Sequence, residues 1–351
     1  MGTWLVPRIE LTPDQLRVVE FPPTAHKVIL GLPGSGKTQV LVHRAAYLRD
    51  KYRVPKEKFR IFILTNVLRD YIRSGLIMLD VPQDSVCTFD SWCIDFHRKY
   101  ISNHLPWNNE AEIYDFLQIK KAILSCLKIR KDLRVALDFA LVDEGQDLAP
   151  ESFAILQYIA QHVTVFADYL QQIYETGAKE QAILETLGLP RQTAILLDTY
   201  RNSPDVTQLA SYFIANHEKR LHYLAQARNN QCERERPLLF VARSYNEEMD
   251  RLVAIIKQRQ IMNQRVGIIV PQNKQVFGFA KGLQERGVEV EAASHRNRTG
   301  RANSIQFDNL IPKIASYHSA KGLTFDCVLL PRLTKQSFMR FSSDIRQRLL
   351  F

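Results

Sequence analysis

The stretch GLPGSGKTQ, residues 31–39, sits between the apolar run KVIL and the amphipathic VLVHRAAYLRD. Gly31, Gly36, Lys37 and Thr38 fit the G-x-x-x-x-G-K-[ST] loop, with Pro33, Gly34 and Ser35 inside it. Small residues let successive backbone N–H groups close around phosphates. The lysine reaches the terminal phosphates, and the threonine hydroxyl helps hold Mg²⁺. A strand, a glycine loop and a helix in that order open an α/β fold with a parallel sheet. Kinases, GTPases, transporter ATPases and nucleic-acid motors share the device, so the rest of the chain must choose among them.

Outward from the loop, apolar strand-like runs alternate with helical stretches: RIFILT, VCTF, DFALVD and TVFAD each have helical sequence behind them. This alternation predicts a doubly wound parallel sheet over residues 1–197. Residues 101–136 break the pattern and read as a small helical insertion with no strand. Strand-like runs resume with PLLFVA, RVGIIV, VEVEA and DCVLLP, which predicts a second sheet domain over residues 198–351. The 351 residues carry 46% hydrophobic and 24% charged side chains and a formal net charge of +10. Such an excess favours polyanionic partners, with simple solubility as the plainer account of it. No apolar run approaches the roughly 18 residues of a membrane helix, and the N-terminus lacks a signal-peptide layout. The 5 cysteines are scattered with no C-x-x-C, so neither a zinc site nor a disulfide framework is expected, and the expected location is cytoplasmic.

The second strong signal is LVDEGQD, residues 141–147. An apolar strand ending in adjacent carboxylates places Asp143 and Glu144 at the carboxyl edge of a parallel sheet, the edge that also carries the glycine loop. Asp143 is placed to hold Mg²⁺ and Glu144 to polarise an attacking water. A solvated acidic turn is the bland alternative, and the loop upstream argues against it.

At these residues the chain resembles the UvrD/Rep/PcrA-like superfamily 1 DNA helicases. LTPDQ resembles the Q motif, LTNVLRDYI motif Ia, CTFDSW motif Ic, VDEGQD motif II, ADYLQQIY motif III, TYRNS motif IV and YHSAKGLTFDCV motif V. The resemblance implies two RecA-like P-loop NTPase domains, ATP and Mg²⁺ as cofactors, and single-stranded or partly duplex DNA as partner. It implies that Gln15 reads adenine, that Tyr200 stacks on it, and that Gln171 and Arg201 contact the γ-phosphate. Thr65, Asn66, Thr88, Phe89, Trp92 and His318 become the candidate strand contacts, although Phe89 and Trp92 fit a core role equally well.

The departures from the family pattern also carry expectations. Gln39 stands where an arginine usually packs on adenine, Asp90 where motif Ic has histidine, and Thr324 where motif V has glutamate. No large insertion fits between VEVEA and IPKIAS, and in this family a segment such as RQRLLF leads into motif VI, whose arginine would lie just past Phe351. The expected activity is an ATP-dependent helicase or translocase, 3′→5′ by resemblance. Two rivals stay open: a DNA-stimulated regulatory ATPase of a repair or antiviral defence complex, partnered by a nuclease, and a degenerate module that only binds nucleic acid.

Overall fold

The computed structural model describes residues 4–110, 112–168, 177–189, 195–197, 203–226, 236–293 and 305–338. From the N-terminus, α1 (Pro13–Glu20) leads to β1 (Lys27–Gly31), and the glycine loop joins β1 to α2 (Lys37–Tyr52). Then come β2 (Phe59–Ile63), α3 (Asn66–Met78), β3 (Val86–Thr88) and α4 (Phe89–Tyr100). A short pair, β4 (Trp107–Asn108) and β5 (Ile113–Tyr114), precedes α5 (Phe116–Ile129) and β6 (Leu137–Val142). The first half closes with α6 (Pro150–Ile159), β7 (Ala160–Ala167), α7 (Glu180–Thr186) and β8 (Ile195–Leu197).

These strands make a six-stranded sheet in the order β3-β2-β6-β7-β1-β8, and every pairing in it is parallel. Parallel strands covered on both faces must be apolar on both, and adjacent residues accordingly face opposite cores. Ile29 and Leu141 belong to the layer with α1, α2 and α3, whereas Val28 and Ala140 belong to the layer with α4 to α7. The expected all-helical insertion is corrected: it contains the antiparallel β4–β5 pair. Its helix α5 does not project, because Ile119, Ile123 and Leu127 are fully buried in the second of those cores.

The second half runs α8 (Pro204–Ser211), α9 (His217–Gln226), α10 (Tyr245–Ile261), β9 (Val266–Val270), α11 (Asn273–Gln284) and β10 (Glu291–Ala292). It ends with β11 (Lys313–Ser316), α12 (Tyr317–Ala320), β12 (Cys327–Leu329) and α13 (Lys335–Phe338). Four strands form a second parallel sheet, β10-β11-β9-β12. The expected strand PLLFVA is a second correction: residues 237–242 pair with no described strand. Leu238, Leu239 and Val241 are exposed to 87%, 82% and 79%. Two strands lay outside the sequence expectation. β8 adds to the first sheet, and β11 hides its period behind Lys313, a buried lysine paired with Glu291 at 3.1 Å. Among the described residues no helix is long and apolar enough to cross a membrane.

The two sheets share a core. Ile269, Phe307, Ala315 and Tyr317 pack into the same cluster as Trp4, Leu68 and Tyr71. The Phe307 ring meets Tyr71 edge-on at 5.1 Å, and Ile305 N–H donates to Asp70 Oδ2 at 3.2 Å. Elsewhere Arg44 of α2, wholly buried, ties α1 to the sheet. It donates to the carbonyls of Val18, Val19 and Phe21 that close α1, and to Thr164 and His162 of β7. These partners are all neutral, so burial lowers the Arg44 pKa to about 10. Burial, and then Arg44 beside it, lowers His162 to about 3.

Candidate active site

The glycine loop turns from the carboxyl end of β1 into the N-terminus of α2, where helix N–H groups point at an incoming anion. Gly34 and Gly36 have φ of +81° and +83°, values that L side chains rarely adopt. A Cβ on Gly36 would lie 2.5 Å from the Gln15 amide nitrogen. Ser35 Oγ is buried with no hydrogen-bond partner among the described residues. A buried hydroxyl without a partner is costly, and a phosphate oxygen in the loop would satisfy it.

Around this loop the candidate groups converge at the carboxyl edge of the first sheet. Lys37 Nζ donates to the carbonyls of Gly31 (2.7 Å) and Leu32 (3.0 Å), with Asp168 Oδ2 at 3.5 Å. Thr38 Oγ1 donates to Asp143 Oδ2 at 3.1 Å. Glu144 follows Asp143 at φ +52°, a strained backbone for a glutamate. The strain is held in place because the next residue, Gly145, leaves no room: a Cβ there would lie 2.2 Å from Val165. Gln146 bridges β6 to β7, donating to Glu144 Oε2 at 2.6 Å and accepting from Asp168 N–H at 2.9 Å.

Two carboxylates this close and this buried (1% and 3% exposed) cannot both keep ordinary acidity. Burial, and then Glu144, pushes the Asp143 carboxyl up to about 7. Burial would raise Glu144 too, but the ammonium groups of Lys321 and Lys37 outweigh it and hold Glu144 below its usual range. Lys321 reaches in from the second sheet, 3.2 Å from Glu144 Oε2, and also bonds Asp147 Oδ2. Burial opposes its charge, yet Glu144 and Asp147 raise its pKa. The donor set of a hydroxyl and a carboxylate 3.1 Å apart, beside a second buried carboxylate, suits a hard divalent cation with oxygen ligands.

On the base side, Gln15 completes a capping box with Thr12 and also donates to Ser35 carbonyl at 3.0 Å. It therefore braces the loop as well as standing beside it. The unexpected Gln39 is accounted for by the N-terminal segment: its amide donates to Trp4 carbonyl and accepts from Val6 N–H at 3.1 Å. Tyr200, Arg201 and Gln171 lie outside the described residues.

The strand-contact candidates separate. Thr65 caps α3 by accepting from Leu68 N–H, and Thr88 caps α4 by accepting from Ser91 N–H. Both therefore lie at the carboxyl edge, beside the ends of β2 and β3. Asn66 accepts from Arg69 Nη1 at 3.0 Å. His318 is half-buried in α12, which packs against α3, so His318 and the Thr65 corner come from neighbouring elements. Phe89 is a correction: it is 1% exposed and meets Phe62 edge-on at 5.2 Å, in the core. Trp92 stacks on Phe89 at 5.8 Å. Trp92, one turn into α4, lines a groove of about 570 Å³ with Arg60, Cys87, Asp95, Phe96 and Leu137. Arg60 and Leu137 lie at the amino ends of β2 and β6, so this groove opens away from the carboxyl edge. Asp90 is paired with Lys120 at 2.9 Å, which offsets the charge that the motif Ic departure introduces.

Sequence reasoning passed over Gln146, Asp147 and Lys321. The first two stand inside VDEGQD and were legible as buried polar groups on its turn. Lys321 stands in SAKG with no local sign of its distant partners.

Residues 11–134 match the family described as UvrD/REP helicase N-terminal domain. No curated protein matches the chain. Among solved structures the chain is similar to the crystal structure of Pif1 helicase from Candida albicans at 14% identity and a TM-score of 0.36, over 70% of this chain and 53% of that one. The chain thus spans about half the length of that protein, and a likeness this distant carries no argument. The family match falls on the glycine loop and on the stretches that resemble motifs Ia and Ic, so residues 11–134 are similar to the N-terminal domain of UvrD/REP helicases.

Proposed function

We propose that this chain is the ATP-hydrolysing core of a UvrD-like motor that moves on single-stranded DNA, 3′→5′ as the resemblance implies. One observation carries the reading: Lys37, Thr38, Asp143 and Glu144 converge, buried, at one sheet edge, with Lys321 from the second half in contact with Glu144. A nucleotide bound there touches both halves, which is the arrangement that turns hydrolysis into relative movement of two domains.

In this reading the loop N–H groups and Ser35 Oγ take phosphate oxygens, and Lys37 exchanges two carbonyls for the terminal phosphates. Thr38 and Asp143 would hold Mg²⁺, which would supply charge neutralisation on the phosphates. Glu144 accepts the proton of the attacking water. Gln15 and Tyr200 bind the base, and Gln171 and Arg201 contact the γ-phosphate. Thr65, Asn66, Thr88 and His318 contact the strand.

ATP turnover measured with and without single-stranded DNA, followed by strand separation on the same preparation, tests this. Stimulation by DNA together with unwinding supports the motor. Stimulation without unwinding supports the second reading, a regulatory ATPase serving a partner such as a nuclease in repair or antiviral defence. The burial of α5 against the first sheet favours that second reading, because it leaves a smaller projecting arm for the duplex. Binding of DNA with no turnover at all would leave only a nucleic-acid-binding module.

A further inference from the structure

Three contacts hold the candidate catalytic groups to one another: Lys37 on the loop carbonyls, Thr38 on Asp143, and Lys321 on Glu144 and Asp147. Mg-ATP offers direct replacements for the first two, phosphate oxygens for Lys37 and a cation for the Thr38–Asp143 pair. The third is of a different kind. Lys321 and Asp147 are 7% and 0% exposed at their side chains, and the ammonium sits on Oε2, one of the two oxygens of the candidate base. With Gln146 on the same oxygen at 2.6 Å, that edge of the carboxylate is already occupied. The partners are rooted in different sheets: Glu144 and Asp147 follow β6, and Lys321 follows β11 and α12.

The corner that carries Lys321 is confined. Gly322 sits at φ +81°, where an added Cβ would lie 3.0 Å from Leu68 of α3 and 3.7 Å from Glu144 Oε1. The Lys321–Glu144 contact therefore depends on where the β11–α12 corner sits against the first sheet. His318, the strand-contact candidate of the second sheet, is in that same corner, within the single turn Tyr317–Ala320.

We propose that Lys321 is the positioning residue through which a bound strand reaches the hydrolytic base: its ion pairs with Glu144 and Asp147 hold the base in check, and a strand phosphate on His318 draws Lys321 away. This rests on the strand-stimulated ATPase reading above. By linkage, a contact that strand binding must break weakens that binding, so removing the contact tightens it.

The test is the affinity of the 351-residue chain for a fluorescently labelled oligo-dT without nucleotide, read by anisotropy for the wild type, Lys321→Met and Asp147→Asn. Both variants are expected to bind tighter, by about threefold to tenfold, at the low end of typical coupling energies. A purely electrostatic effect would split them, since losing a cation weakens binding and losing an anion strengthens it. A merely structural role would weaken both. The ratio of ATP turnover with DNA to that without should fall towards one in Lys321→Met, through a rise in the DNA-free rate. Opposite signs, unchanged affinity, or weakened binding in both variants overturns the proposal. If Lys321→Met does not melt cooperatively, Lys321→Gln takes its place. A wild type that binds no strand at low salt overturns the strand-stimulated reading itself. A wild type that binds, with variants that do not tighten, overturns the Lys321 role alone.

Discussion

The candidate nucleotide edge and the candidate strand face occupy the same side of the first sheet, yet they are built on opposite principles. At the candidate nucleotide edge the described groups are buried and mostly bonded to one another: Lys37 to loop carbonyls, Thr38 to Asp143, Gln146 to Glu144. At the strand face the candidates are helix caps, Thr65 and Thr88, or core aromatics such as Phe89. Phosphoryl transfer demands particular groups at particular distances, so few sequences satisfy it. A strand's phosphates accept helix N-termini, hydroxyls and any nearby cation, so many sequences do.

The sharpest way to break this contrast is at the base. Glu144→Gln should retain nucleotide binding, read with a fluorescent ATP analogue, while losing about 10²–10⁴ in turnover, the usual contribution of a positioned proton acceptor. Lys37→Ala should abolish turnover as well, because the loop loses its cation for the terminal phosphates. Normal hydrolysis by the glutamine variant would mean that the buried carboxylate pair is structural.

Next comes the aromatic pair. Phe89→Ala should cost about 3–5 kcal/mol of stability, as cavity-forming aromatic truncations do, in a urea titration. Its affinity for oligo-dT, measured where the protein is folded, should hold. Loss of affinity without loss of stability would return Phe89 to the strand.

Salt sharpens the same comparison more gently. If about five phosphates are contacted, the log–log slope of strand affinity against salt should be near −3.5. A flat response would assign the net charge of +10 to solubility.

The smallest expected effect is on the far side of β7. His162 is neutral in the fold, with a pKa of about 3 against 6.5 for an unperturbed histidine, so unfolding takes up a proton anywhere between those values. Stability is therefore full above pH 6.5 and falls as the pH drops towards 3, by at most about tenfold in the folding constant per pH unit. His162→Gln should flatten that slope in urea midpoints taken across the window. An unchanged slope would assign the acid sensitivity to other groups.

What was legible in the sequence follows the same division. The glycine loop and VDEGQD could be read because their spacing is the chemistry, and the strands before them could be read because parallel strands are apolar on both faces. Lys321 could not be read, because its meaning lies in Glu144 and Asp147, which reach it only through the contact of the two sheets. Gln39 looked like a loss at the nucleotide base until the fold brought Trp4 and Val6 to its amide. β11 went unseen because a lysine and a serine sit in a four-residue strand, KIAS. PLLFVA has every local mark of a strand, but a strand also needs a neighbour, which it lacks among the described residues, and local preference carries no information about neighbours.

That last segment governs how the protein behaves in concentrated solution. Residues 237–242 carry no charge, and Leu238, Leu239 and Val241 lie open to solvent. An uncharged apolar run that pairs with no strand among the described residues is a template for intermolecular pairing. Colloidal stability should therefore be limited by this short ribbon, despite a strongly cationic chain whose self-repulsion would otherwise keep molecules apart. Added salt, by screening that repulsion, should lower the concentration at which light scattering rises, and a lysine in place of Leu239 should raise it.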